Sequence, residues 1–216
     1  MADGAANNIG EGCTHKNTAA LMVGTSGAMR VVYEGEPPRL IPSGLWCYRV
    51  DNRRCVLGGA LSDGGGLIDW LRQNLNLPAN AEKLIAEREV GSHGITFRPF
   101  FAGERSTGYD ENARGAIIGL TMAHDSLDIL QAAMEAVGYR FAEILKQIEN
   151  VTPVEKIVAS GGALHASPVW TRIISYVLGR ELTISKVPEA SMRGAVLLVL
   201  EALGRIRSIE DFRTKL

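Results

Sequence analysis

With 216 residues, 46% of them hydrophobic and 22% charged, the chain holds enough apolar material to bury a core in one or two compact units. A formal net charge of -1, with acidic and basic residues mixed along the chain, leaves no electrostatic footprint for DNA, RNA or anionic lipid. Three cysteines (Cys13, Cys47, Cys55) fit neither a disulfide framework nor a zinc site, four scattered histidines lack metal-ligand spacing, and no apolar run approaches the roughly 20 residues that cross a bilayer; the expectation is a cytoplasmic protein with reduced thiols.

The N-terminus lacks the basic and apolar regions of a signal peptide and starts directly in a motif-like segment, so the natural chain is expected to begin upstream of Met1. Residues 19–23 and 28–33 are apolar β-type runs around Gly24-Thr25-Ser26-Gly27 and read as a hairpin. A second hairpin follows, residues 45–50 and 54–57 around Asp51-Asn52. Glycines from Gly58 to Gly66 then lead into helical spacing at Leu67, Trp70 and Leu71. From 72 to 112 the pattern is irregular, with Pro78, Pro99 and a polar surface stretch from Gly103 to Asn112.

Leu127, Leu130, Met134, Val137, Phe141, Ile144 and Ile148 recur at alternating steps of three and four, which predicts a helix over 126–149 capped by Asp125 or Ser126. Lys156 to Ala159 reads as a short strand running through Ser160-Gly161-Gly162-Ala163 into a helix that includes Trp170, Ile173, Ile174 and Val177. A last strand at 181–185 and a helix at 191–203 complete an alternation typical of an α/β layer.

Two glycine elements can carry chemistry. The amides of a tight turn such as Gly24 to Gly27 can converge on an anion, with the Thr25 and Ser26 hydroxyls as donors, but the same residues also suit a plain hairpin turn. Gly161-Gly162-Ala163, between a strand and a helix, serves either close packing or the approach of a flat base or ribose, with Ser167 within reach as a hydrogen-bonding group. No Walker-type phosphate loop is present, which excludes a P-loop enzyme. By itself Asp3 reads as a solvated terminal residue.

Several segments in order resemble the FGGY carbohydrate kinases: Asp3-Gly4-Ala5-Ala6-Asn7-Asn8-Ile9-Gly10, the Gly24 turn, the stretch from Gly58 to Trp70, Phe100 to Arg105, Gly115 to Leu120 with Asp128 to Glu135, and Gly161-Gly162. The resemblance implies a ribonuclease H-like α/β fold shared with actin-like ATPases, a mixed sheet flanked by helices. It implies residues 1–18 as the end of an N-terminal domain or hinge, and 19–216 as the ATP-binding C-terminal domain. Asp3 would then be the catalytic base. Gly24, Thr25 and Ser26 would approach the ATP phosphates, Gly65, Gly161 and Gly162 would line the nucleotide cleft, and Ala163, Ala166 and Ser167 would lie near the adenosine. Mg²⁺ would accompany ATP through ligands that the sequence does not identify.

The Gly24 and Asp3 segments look most like gluconate kinases, with xylulose kinases next; an inactive nucleotide-binding or interaction module is the alternative from another class. The N-terminal Asp-Gly-Thr phosphate element and the sugar-binding sheet of the family have no counterpart in this sequence, and Ala166 stands where some members carry an amide. The sugar-binding domain is therefore the expected partner, and this chain alone is expected to be inactive. Apolar surface around residues 1–20, exposed without that partner, is expected to invite a homodimer.

Overall fold

The computed structural model describes residues 3–212. The chain opens with helix α1 (Asp3–Gly10), followed by strands β1 (Thr18–Val23), β2 (Gly27–Glu34), β3 (Trp46–Arg49) and β4 (Arg54–Leu61). Helices α2 (Gly65–Asn74) and α3 (Ala81–Ala86) lead to a small antiparallel pair, β5 (Thr96–Arg98) and β6 (Ala116–Ile118). The long helix α4 (Ser126–Glu149) precedes β7 (Lys156–Ser160), α5 (Gly162–Ala166), α6 (Pro168–Leu178), β8 (Leu182–Ile184) and α7 (Ala190–Ala202), with a 3₁₀ turn at Ile209–Phe212.

The main sheet has the order β3-β4-β2-β1-β7-β8. Pairing is antiparallel from β3 through β1 and parallel from β1 through β7 to β8. Helices cover both faces, so the central strands are buried nearly throughout instead of alternating apolar with polar residues. Side chains nevertheless alternate between two cores. Leu21, Met29, Val31, Leu57 and Ile157 join the large core with α2, α4 and α6, while Val32 and Val56 point to a smaller one with Ala5 and Ile9 of α1 and Leu197 of α7.

Both predicted hairpins and the predicted α4 are present. Asp125 caps α4 by accepting from the amides of Leu127 and Asp128, and the Asp128 carboxylate accepts from the Asp125 amide in return. Buried Trp170 of α6 donates its indole N–H to the Met134 carbonyl of α4 at 3.0 Å. The last strand and helix fall within one residue of their predicted ends. The interval from 72 to 112 is more ordered than its pattern suggests, because α3 and β5 are too short to show a period.

The N-terminal segment corrects another expectation. Ala5, Ala6, Ile9 and Cys13 are all at most 3% exposed, so among the described residues there no apolar patch is left to drive dimerisation. Helix α1 crosses α7 at backbone contact: a Cβ on Gly10 would lie 1.8 Å from the Ala190 carbonyl oxygen, and one on Gly194 would lie 1.9 Å from that of Ala6. Exposed apolar residues are found on α7 instead, at Met192, Val196 and Val199, and at Leu203 just after it.

Candidate functional site

β4 and β7 run in the same direction as β1, so the carboxyl ends of all three strands open on one edge of the sheet. Crevices outside such strand ends are where open α/β sheets hold ligands. Here a cleft of about 270 Å³ is lined by Gly24 and Thr25 after β1, Gly65, Ile68, Asp69 and Arg72 after β4, and Gly162, Ala163, Ala166, Ser167 and Trp170 after β7.

Backbone hydrogen bonds lock the turn after β1 to the start of α2. The Gly65 amide donates to the Gly24 carbonyl at 2.7 Å, and the amides of Gly64 and Gly66 donate to the Thr25 carbonyl at 3.1 and 3.0 Å. The first amides of α2 are thus spent on the turn, which leaves the turn's own edge and the Thr25 hydroxyl to meet a ligand. Gly65 must be small, since a Cβ there would lie 2.6 Å from the Gly24 oxygen and 2.9 Å from the Ala163 Cβ. Gly161 takes φ +102° and passes so close to Val23 that a Cβ would stand 2.2 Å from its carbonyl oxygen. At Gly24 and Gly162, by contrast, a Cβ would meet nothing within 4 Å. Those two glycines face open space and leave room for a ligand.

The structure therefore brings together Gly24, Thr25, Gly65, Gly162, Ala163, Ala166 and Ser167. Ser26 and Gly161 flank the cleft without lining it: Ser26 shapes the turn by accepting from the Gly24 amide at 2.9 Å, and Gly161 fits α5 against β1. Ser167 lines the wall, but its hydroxyl is committed elsewhere. It caps α6 by accepting from the Trp170 amide and donates to the Glu82 carboxylate, 2.8 and 3.0 Å from its two oxygens. A hydrogen bond from Ser167 to a ligand would have to break this arrangement.

Sequence reasoning passed over the charged wall of the cleft. Arg72 bonds Glu82 at 2.5 Å and lies 3.7 Å from Asp69, so a carboxylate from α3 orients a guanidinium from α2 beside Ser167. Arg72, Glu82 and Ser167 come from separate elements, and nothing in their spacing announces the group; only the i, i+3 relation of Asp69 and Arg72 is visible in the sequence.

Asp3 stands apart. It is exposed at the start of α1, which packs on the opposite face of the sheet, and it does not line the cleft. Its neighbourhood includes the buried Arg30 of β2, whose guanidinium donates to the Gly4 carbonyl at 2.9 Å. Among the described residues, no group of three or more His, Cys, Asp or Glu could hold a metal ion.

The profile of the FGGY family of carbohydrate kinases, C-terminal domain, matches residues 19–203. A gluconokinase of Bacillus subtilis (strain 168) is 30% identical over 96% of this chain and 43% of its own length. A xylulose kinase of Staphylococcus epidermidis (strain ATCC 12228 / FDA PCI 1200) is 26% identical over 97% of the chain and 43% of its own length. Among solved structures, gluconate kinase from Lactobacillus acidophilus superposes with a TM-score of 0.86 at 28% identity, covering 97% of this chain and 43% of that one. The chain spans less than half the length of these relatives. The matched span, the identity to the gluconokinase and the shared fold lead to one conclusion: the chain belongs to the FGGY family of carbohydrate kinases and carries the C-terminal domain.

Proposed function

We propose that this chain is the nucleotide-binding part of an ATP-dependent kinase that phosphorylates a hydroxyl of a sugar acid, with gluconate as the preferred substrate. The observation that carries the proposal is the strand-end cleft, where the hydrogen-bonded glycine turn after β1 and the loop after β7 each present one glycine open to a ligand. Gluconate takes precedence over xylulose because the gluconokinase relative shares 30% identity over almost the whole chain, against 26% for the xylulose kinase.

The residues present fit a nucleotide. Gly162, Ala163 and Ala166 form a smooth wall for a flat base, with Ile68 among the apolar lining, while the Thr25 hydroxyl and the Gly24 turn face the phosphate end. ATP, when bound, supplies the γ-phosphoryl group, and Mg²⁺ would arrive with its phosphates, since Mg²⁺ usually keeps several waters and binds through substrate phosphates with one or two carboxylates. The chain's own work is positioning: the glycine turn holds the phosphate end in place, and Asp3 accepts the proton of the attacking hydroxyl once a sugar-binding half closes on this domain. Closure would also exclude water, which otherwise competes as the acceptor. In this reading residues 1–18 join the two halves, and the sugar-binding half is the partner.

Titration of the chain with Mg-ATP by calorimetry, without sugar, tests the reading. Saturable binding is expected. Thr25→Ala removes one hydrogen bond to phosphate and should weaken binding about fivefold to tenfold. Gly162→Trp should weaken it more while the fold survives, because the new side chain enters open space at a backbone conformation that any residue adopts. Absence of binding by a chain with a native circular dichroism spectrum, or binding indifferent to both substitutions, would refute the assignment of the cleft.

A further inference from the structure

Arg30 is 5% exposed in the middle of β2, and among the described residues no carboxylate lies within ion-pair distance of it. A buried arginine without a close counter-charge costs several kcal/mol unless its hydrogen bonds and surroundings compensate. Its surroundings are built around it. A Cβ on Gly4 would lie 2.8 Å from the guanidinium carbon, and one on Gly58 would lie 2.8 Å from Arg30 Cγ, so both glycines make room for the side chain. One guanidinium nitrogen donates to the Gly4 carbonyl at 2.9 Å and to Asn8 Oδ1 at 3.4 Å, while Asn8 Nδ2 donates back to the Arg30 carbonyl at 2.9 Å. This reciprocal clamp ties the middle of the sheet to the first two turns of α1.

The charges facing Arg30 are few. Burial pushes its guanidinium below the ordinary range, Tyr48 and Asp3 act to raise it, and Arg105 acts to lower it. Arginine remains charged through such shifts. The carboxylate in this group belongs to Asp3, one residue before the carbonyl that Arg30 holds.

We propose that Arg30 is a positioning residue for Asp3: its bonds to the Gly4 carbonyl and to Asn8 fix the first turn of α1, the turn that carries Asp3. The proposal deepens the kinase reading, in which Asp3 is the base, and rests on it for its functional meaning. A base carried on a short N-terminal helix needs such an anchor, since the opening turn of a helix has no preceding turn to hold it. Arginine suits the task because one arm of its fixed fork can hold a backbone carbonyl and a side-chain oxygen together.

The test is nuclear magnetic resonance on the full chain. The Arg30 Nε–Hε resonance is expected to shift in Asp3→Asn, a change at an exposed residue that leaves the clamp itself intact. Amide exchange of residues 7–10, the first amides of α1 with an intrahelical acceptor, should rise about tenfold or more in Arg30→Met, as loss of a charge-assisted hydrogen bond predicts. In Arg30→Lys it should return to within about threefold of the native rate, because the ammonium keeps charge and donor. An Arg30 resonance indifferent to Asp3→Asn, or an Arg30→Lys chain that exchanges like Arg30→Met, would overturn the proposal. If Arg30→Met fails to fold, the Asp3→Asn comparison alone decides it. Neither readout depends on nucleotide, so failure of Mg-ATP to bind while the Arg30 coupling persists would remove the kinase reading and leave the anchor standing.

Discussion

Arg54 and Glu201 show how a single pair can hold two distant stretches of chain. The Arg54 guanidinium, 1% exposed, bonds both Glu201 oxygens at 2.7 and 2.8 Å and Asp51 at 2.7 Å, and so joins the start of β4 to the end of α7. The bond from Arg54 holds the Glu201 carboxyl down at about 2, against the opposing effect of burial. A carboxyl depressed in the folded state contributes stability above its unfolded range near 4.5, and that contribution disappears as pH falls toward 2. Glu201→Gln should therefore destabilise the chain by about 2–3 kcal/mol at pH 7 in urea unfolding, with the difference from the native protein shrinking between pH 4.5 and 2. The thiols at this scale are structural. Burial pushes Cys13 up strongly and Cys47 to about 11, so both should react only slowly with a disulfide reagent at pH 7.5 until the chain is unfolded.

Helices show which local signals carry and which do not. The α4 boundary was readable because a strong period met a capping aspartate; Asp125→Ala removes both accepted amide bonds and should cost about 1 kcal/mol in thermal unfolding. The crossing of α1 and α7 was not readable. Gly10 and Gly194 look like ordinary interruptions of helical sequence, and their necessity appears only where two backbones meet. Gly194→Val should cost at least about 3 kcal/mol, more than a typical overpacked core site, because the obstruction is the Ala6 carbonyl and not a mobile side chain. A Gly194→Val chain with native stability would show that the helices do not pack this closely.

For the whole molecule, the mixed sheet is what turns separate glycine motifs into one site. β1 is the hinge of the topology: it pairs antiparallel with β2 on one side and parallel with β7 on the other. That reversal places the turn after β1 beside the loop after β7, which lies more than a hundred residues further along the chain. The same sheet keeps Asp3 on the opposite face from the cleft lining, so the candidate base and the candidate nucleotide wall lie in one chain without touching. Transfer would then require a substrate that bridges them, held by a second half, and the chain alone is expected to show no sugar phosphorylation in a coupled assay while still binding Mg-ATP.

By itself the sequence determined the elements whose signals are local. The two hairpins came from turn residues, α4 from its 3.6-residue period and cap, and the β7 to α5 junction from its glycines, while the ordered motifs pointed to the family. It also marked the Gly24 turn with Thr25 and the Gly162-Ala163 junction as small or hydroxylated residues suited to a ligand, and the family resemblance added Gly65. Tertiary structure alone decided which of these meet, because the cleft depends on strand order and on hydrogen bonds across distant segments. It also decided that the Ser167 hydroxyl is occupied by Glu82, that Arg72 belongs to the wall, and that Arg30 is buried against α1. Charged residues carry no periodic signature of their partners, and a contact between elements far apart in sequence exists only after the chain has folded.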